Sequence, residues 1–283
     1  MTSAARAATL RPPGTGPAPV RVAVPEDPAV RIVFTGRRTS PEGLSANLSL
    51  LVGDGDPVAA RRAALHDVGV GLDRTVFMQQ VHGGDVATVG AADAGRGSTA
   101  HDDAVAGVDA MVTATPDLAL AVLVADCVPV VLVDPGRGVG VAHAGRGGVV
   151  AGIVSAAVHR LTDDPSRVVA VVGPAIGGCC YEVPAQMAAE VARSHPAAAA
   201  TTSWGTPSLD LPGAVRAQLH AAGVARVDSL DVCTRCDAET WFSHRAATAG
   251  AAPHGRQAGF VVRRTRTDAA PHSPGARPSL DCA

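Results

Sequence analysis

Leu118-Ala-Leu-Ala-Val-Leu-Val-Ala-Asp126-Cys127-Val-Pro129-Val-Val-Leu-Val133 is the longest apolar stretch of the chain. Residues 118–124 and 128–133 show no polar alternation, so they predict strands covered on both faces. Asp126 and Cys127 break the run. Burying an unpartnered carboxylate costs on the order of several kcal/mol. The interruption therefore reads as strand ends converging on a site. The same break, with Pro129, leaves the stretch short of the roughly 20 apolar residues of a membrane span.

Outward from this stretch, strands are expected at residues 30–35, 76–81, 86–89, 110–113, 139–142, 168–172, 227–233 and 260–262. Helices are expected at 56–68, 148–161, 184–194 and 212–222. Pro57 suits the first turn of its helix. Residues 90–107 and 195–208 read as long connections. Strands outnumber helices and do not alternate with them strictly. The fold class expected is α+β, a single domain of mixed β-sheets flanked by helices. Residues 1–28, rich in Pro, are expected to be disordered. Residues 29–263 form the catalytic domain, and residues 264–283 a disordered tail.

The length of 283 residues allows one large domain or two small ones, and 47% apolar residues allow a sizeable core. Aromatics are only 2% and the net charge is −2, so neither a stacking platform nor a basic footprint for nucleic acid is expected. All 24 basic residues are Arg. Lysine chemistry is thereby excluded: no Schiff base, no Walker-A lysine, no Ser–Lys dyad. No uninterrupted apolar h-region precedes the N-terminal prolines, so a cytoplasmic protein with reduced thiols is expected. The expected partner is a small-molecule substrate, with no nucleic acid and no membrane. The oligomeric state is left between monomer and homodimer.

Three short motifs place reactive side chains at the ends of expected strands: Gln80-Val-His82-Gly83, Ala125-Asp126-Cys127 and His143-Ala-Gly145. Taken singly, Cys127 suits a core, His82 a surface turn and His143 a structural position. Together, two His and one Cys suit a catalytic zinc site that keeps one position open for water or substrate. A Cys–His hydrolase with Cys127 as nucleophile is the rival arrangement. Asp126 and Glu182 are the candidate proton carriers. The Gly-rich turn at Gly145, Gly147 and Gly148 leads into a helix and can offer amides to an anion. Arg37, Arg146, Arg245 and Arg256 are candidate anion clamps. Cys179-Cys180 and Cys233-x-x-Cys236 offer four thiols for a structural zinc. Adjacent cysteines make a poor pair of ligands for one ion, so ordinary packing is expected of Cys179 and Cys180.

The motifs Phe34-Thr-Gly-Arg37, Gln80-Val-His-Gly83, Asp109-Ala-Met-Val-Thr113, Ala125-Asp-Cys-Val-Pro129, His143-Ala-Gly145, Gly173-Pro-Ala-Ile-Gly177, Cys180-Tyr-Glu-Val183 and Cys233-Thr234 together resemble the laccase-domain family. Phe242-Ser-His-Arg245 and Gly255-Arg256 resemble its closing elements. The resemblance runs over about residues 30–262. It implies a mononuclear zinc, with copper as the other candidate, held by His82, Cys127 and His143. It also implies phosphorolysis of purine nucleosides (adenosine, inosine, methylthioadenosine) to base and ribose 1-phosphate. Adenosine deamination can accompany that reaction. The alternatives it carries are removal of misincorporated L-Ser from peptidoglycan precursors and copper-dependent polyphenol oxidation. The family's His-Ala-Gly-Trp-Arg-Gly reads His143-Ala-Gly-Arg146-Gly147-Gly148 here. Arg38-Thr-Ser40 follows Arg37 in place of Gly-Gly. The family's Asn-Arg pair reads Ala60-Arg61.

Overall fold

The computed structural model describes residues 19–37 and 46–265. In chain order the strands are β1 (Val20–Val22), β2 (Val30–Phe34), β3 (Thr75–Val76), β4 (Val86–Thr88), β5 (Ala110–Thr113), β6 (Ala119–Val124), β7 (Val128–Asp134), β8 (Gly138–Ala144), β9 (Val169–Val172), β10 (Ala199–Thr201), β11 (Pro207–Leu209), β12 (Arg226–Ser229) and β13 (Gln257–Arg263). The helices are α1 (Pro57–Val68), α2 (Arg146–Ala151), α3 (Ile153–Leu161), α4 (Ala185–Ser194), α5 (Leu211–Ala221) and α6 (His244–Thr248). A five-stranded sheet has the order β1-β2-β13-β6-β3, and a six-stranded sheet the order β12-β9-β7-β8-β5-β4. Both mix parallel and antiparallel pairs.

Period-two packing explains why the decisive stretch is apolar throughout. In β7, Val131 and Val133 join Ile32, Leu120 and Val122 in a core between the two sheets. Val128, Val130 and Leu132 face the other way, onto Val149 of α2, Ile153 and Val158 of α3 and Val215 of α5. On the outer face of the five-stranded sheet, Ala119, Ala121 and Phe260 pack on Ala64, Leu65 and Val68 of α1. The result is four layers, helix–sheet–sheet–helix, with both sheets covered on both faces as expected. The mixed α+β class is the one observed.

The two apolar runs belong to different sheets. Residues Ala125, Asp126 and Cys127 carry the chain from the end of β6 to the start of β7. Asp126 makes the crossing with φ of 82°. An Asp tolerates that left-handed region better than the branched residues around it.

Several boundaries differ from expectation. Val20–Val22 pairs with β2, within the segment 1–28 expected to be disordered, and Val22 and Val24 are buried. At the other end, the Arg264 amide donates to Ala29 O, so the ordered chain runs past residue 263. Residues 1–18 and 266–283, most of the two expected tails, lie outside the described residues, as do Arg38, Thr39 and Ser40. The expected helix over 148–161 is split at Gly152, which takes φ of 77° and ends α2 where α3 begins. The expected strand over 76–81 keeps only its first residue, as the end of β3. Beyond it, the Gln80 side chain takes over the pairing, donating to Leu123 O at 2.7 Å and accepting from Leu123 N at 2.9 Å. The connection over 195–208 contains the hairpin β10–β11. Asp56 caps α1 by accepting from the Val58 and Ala59 amides, and Gly69 closes it in the left-handed conformation.

Candidate functional site

Three chain segments deliver the trio. His143 lies in β8, opposite Pro129 of β7, so the strand extends past its expected end at residue 142. Cys127 ends the sheet-to-sheet crossing. His82 sits on the loop after Gln80, with φ of 62°. Their ligating atoms all lie within 4.8 Å of one another. The two imidazoles meet edge to face, with centroids 4.7 Å apart. The expected convergence of two imidazoles and a thiol is what the fold produces.

Asp109, at the entrance to β5, holds this arrangement together and is fully buried. Its carboxylate accepts from the amides of Val81 (3.1 Å), His82 (2.9 Å) and Gly83 (2.6 Å). It also accepts from His143 Nδ1 at 2.7 Å, and its carbonyl accepts from the His143 amide at 2.7 Å. Burial would push the Asp109 carboxyl up, but His143 and the loop amides hold it below the usual range. Nδ1–H is thus committed to Asp109, and Nε2 is the ring nitrogen left for a ligand. Burial likewise opposes the Cys127 thiolate and the His143 imidazolium. Their mutual attraction, with the hydrogen bond His143 donates to Asp109 and that between His82 and Cys127, overrides it, so Cys127 is pushed down and His143 up. In the expectation from sequence, Asp109 had no role. A carboxylate at the start of an apolar strand was the available signal.

The glycines of the His143-Ala-Gly145 turn serve close approach. A Cβ on Gly145 would stand 2.7 Å from His82 Cδ2 and 3.1 Å from Cys127 Sγ, and one on Gly147 would stand 2.6 Å from His82 O. The contacts at 2.7 and 2.6 Å are closer than a methyl group tolerates without displacing its neighbour. We expect Gly145→Ala to fold but to lose about 10–100-fold in metal affinity, the effect typical of disturbing a ligand's support. A competition titration with a chromophoric chelator measures this.

The trio opens into a cavity of about 300 Å³ that also receives Arg61, Gln80, His101, His244 and Arg256. Arg61, on α1, is only 2% exposed. Its guanidinium stacks on Phe77 at 4.0 Å and donates to the carbonyls of Leu48, Gly97 and Ser98. All three acceptors are neutral, so its charge is not cancelled, and burial lowers its pKa to about 10. Arg256 is also lowered by burial, against the attraction of Cys127 and Asp126. Burial and the charge of Arg256 lower the His244 imidazole, favouring its neutral form.

Of the four expected anion clamps, Arg256 lines the cavity, while Arg146 and Arg245 flank Tyr181. Arg245 sits over the Tyr181 ring at 5.2 Å and donates to Glu182 O. Burial pushes the Tyr181 phenol up, and the Cys127 charge adds to it. Arg37 points elsewhere and donates to Ala238 O at 2.5 Å. The two candidate proton carriers have other partners in the structure. Asp126 has both oxygens engaged, accepting from Thr234 Oγ1 (2.6 Å) and from the Arg245 amide (2.6 Å), so it fastens the crossing. Glu182 is exposed, accepts from the Trp204 indole at 2.8 Å and does not line the cavity. Its carbonyl, not its carboxylate, contacts the site's residues. Arg61 and His244 are among the cavity residues to which the sequence assigns no task, although both fall within quoted motifs.

Contrary to the packing expected of Cys179 and Cys180, they gather with Cys233 and Cys236, and all four sulfurs lie within 4.8 Å of one another. Burial and neighbouring Cys233 push the Cys179 thiol up to about 12, and burial with Cys236 raises Cys180 as well.

Among the described residues, no helix is long and apolar enough to cross a membrane. The sequence matches the multi-copper polyphenol oxidoreductase laccase family over residues 31–264. A purine nucleoside phosphorylase of Streptomyces coelicolor is 50% identical over 221 residues, covering 76% of this chain and 86% of that protein. One from Streptomyces griseus is 47% identical over 236 residues, covering 80% and 89%. Among solved structures, YlmD from Geobacillus stearothermophilus aligns with a TM-score of 0.77 at 32% identity, over 91% of this chain and 99% of that one. The hypothetical protein YfiH from Bacillus licheniformis aligns at 0.76 and 32% identity, over 87% and 97%. With fold and sequence in agreement along almost the whole described chain, this protein belongs to the multi-copper polyphenol oxidoreductase laccase family.

Proposed function

We propose that the protein is a zinc-dependent purine nucleoside phosphorylase acting on adenosine, inosine and methylthioadenosine. The observation that carries this reading is one cavity whose lining brings a metal-capable trio together with two guanidinium groups. His82, Cys127 and His143 supply the metal-capable group, and Arg61 and Arg256 supply the positive charge. The curated relatives named for the same activity support it.

The donor set fits zinc. Two imidazoles and a thiolate are among its preferred ligands, the thiol is already biased toward its ionised form, and His143 is oriented by a carboxylate. Bound there, zinc would supply Lewis-acid polarisation of a substrate oxygen or nitrogen. The rest falls to the chain. In phosphorolysis a phosphate oxygen bonds to the ribose anomeric carbon as the bond from that carbon to the base nitrogen breaks. Arg61 and Arg256 hold the phosphate by charge and direction. His244, biased toward its neutral form, can take or return a proton at the cavity wall, a role for which neither Asp126 nor Glu182 lines the cavity.

The other readings have less behind them. Multi-copper oxidation needs several metal centres. Among the described residues, the groupings able to hold an ion are this trio and the four cysteines. Incubation with each nucleoside, with and without phosphate, tests the proposal. Ribose 1-phosphate and free base should form together and only when phosphate is present. Base released equally without phosphate would make the enzyme a hydrolase. Turnover confined to a UDP-linked muramyl peptide carrying L-Ser would move it to peptidoglycan editing. Adenosine deamination is read in the same assay as inosine appearing independently of phosphate.

A further inference from the structure

We infer that Cys179, Cys180, Cys233 and Cys236 form a second metal centre, a tetrathiolate site for a thiophilic divalent ion, zinc first. It is separate from the nucleoside cavity and does not depend on how that cavity is read.

The geometry is that of a ligand cage. In a tetrahedral zinc–thiolate site with bonds of about 2.3 Å, sulfurs stand about 3.8 Å apart. Here Cys180 Sγ and Cys236 Sγ are 3.4 Å apart, and Cys179 Sγ and Cys236 Sγ 3.7 Å, with all four sulfurs inside 4.8 Å. All four are free thiols.

Two local turns aim them. Residues 177–181 form one tight turn, in which the amides of Cys180 and Tyr181 both donate to Gly177 O. That turn brings two adjacent cysteines to one point, which removes the objection that neighbours diverge. Cys233-Thr-Arg-Cys236 forms the other, closed by the Asp237 amide on Cys233 O. The spacing of two residues between its cysteines is that of many zinc sites. The Gly177 amide points at Cys233 Sγ at 3.3 Å, a hydrogen bond that suits a ligating thiolate. Gly177 itself packs against the cage, since a Cβ there would lie 3.3 Å from Cys179 Sγ. Binding releases four thiol protons and leaves a net negative centre. Arg235, between the two cysteines of the second turn, donates to Cys180 O and places a positive charge beside it.

The position gives the ion its consequence. The two turns are cross-linked through the sheet of bonds around Ala175, whose amide donates to Val232 O and whose carbonyl accepts from Thr234 N. From these turns Ile176 N reaches Asp126 O at 2.9 Å and Thr234 Oγ1 reaches Asp126 Oδ1 at 2.6 Å. The ion would therefore clamp the pair of loops that fasten the crossing residue next to Cys127. Its role is positioning and stability, not contact with substrate.

The test uses the full chain, produced with zinc and dialysed against a weak chelator. In a Cys127→Ala protein, which lacks one ligand of the first cluster, we expect about one zinc per chain. X-ray absorption at the zinc edge should show four sulfur neighbours at about 2.3 Å. Adding Cys233→Ser and Cys236→Ser should remove that zinc. Cys236 is exposed, so Cys236→Ser alone keeps the fold and should weaken retention and replace one sulfur scatterer by a lighter atom. The proposal is overturned if the Cys127→Ala protein holds no zinc, if its zinc has nitrogen or oxygen neighbours predominantly, or if thiol titration finds these cysteines paired as disulfides in metal-free protein.

Discussion

Asp109→Ala should cost about 3–5 kcal/mol of stability, the range for removing one partner of a buried charged pair. It should also weaken zinc binding by about 10–100-fold. One side chain touches the His82 loop through three amides and His143 through its ring. Removing it leaves three half-buried loop amides without their acceptor and frees the buried imidazole to rotate. Asp109→Asn is the informative companion. Its amide oxygen can still accept from the loop, but its NH2 confronts donors. It should fall between the wild type and Asp109→Ala in denaturation midpoint, while metal affinity stays close to that of Asp109→Ala. Urea unfolding and a chelator competition separate the two effects. Equal stability of wild type and Asp109→Ala would show that the loop is held by something else.

Cys127→Ala should abolish bound zinc at the trio and lower phosphorolysis by on the order of a thousandfold or more. Lewis-acid stabilisation is worth several kcal/mol, and each 1.36 kcal/mol is about a factor of ten in rate. The fold should survive, because Ala fits where the thiol packs and Asp126 keeps its bonds to Thr234 and Arg245. Edge-selective zinc spectroscopy together with initial rates for inosine and phosphate reads both quantities. A variant that keeps full phosphorolysis would end the assignment of the trio to catalysis, whatever its zinc content.

The sequence carried the strands of the core because their burial is two-sided and their composition says so. It carried the trio because each member ends a β-rich run, where side chains of different strands meet. What it hid depends on geometry that local pattern does not encode. Asp109 works through the folding back of a loop 26 to 28 residues earlier in the chain. Glu182 and Asp126 had the right chemistry at the right places in the chain, but one turns outward to Trp204 and the other is consumed by Thr234 and an amide. The four cysteines looked incompatible because two are adjacent, and only the turn after Gly177 reconciles them. Short edge pieces such as β1 and the hairpin β10–β11 escaped because three residues give too little periodicity to read.

The trio is also unequal in how firmly its members are anchored. Cys127 and His143 are set into strand ends of the double-sheet core, whereas His82 is exposed and rides on a loop. What holds His82 in reach of its partners is therefore the set of three amide bonds from its loop to Asp109, not a strand of either sheet. Disturbing Asp109 would then loosen the exposed ligand first, while the two strand-borne ligands keep their places in the core.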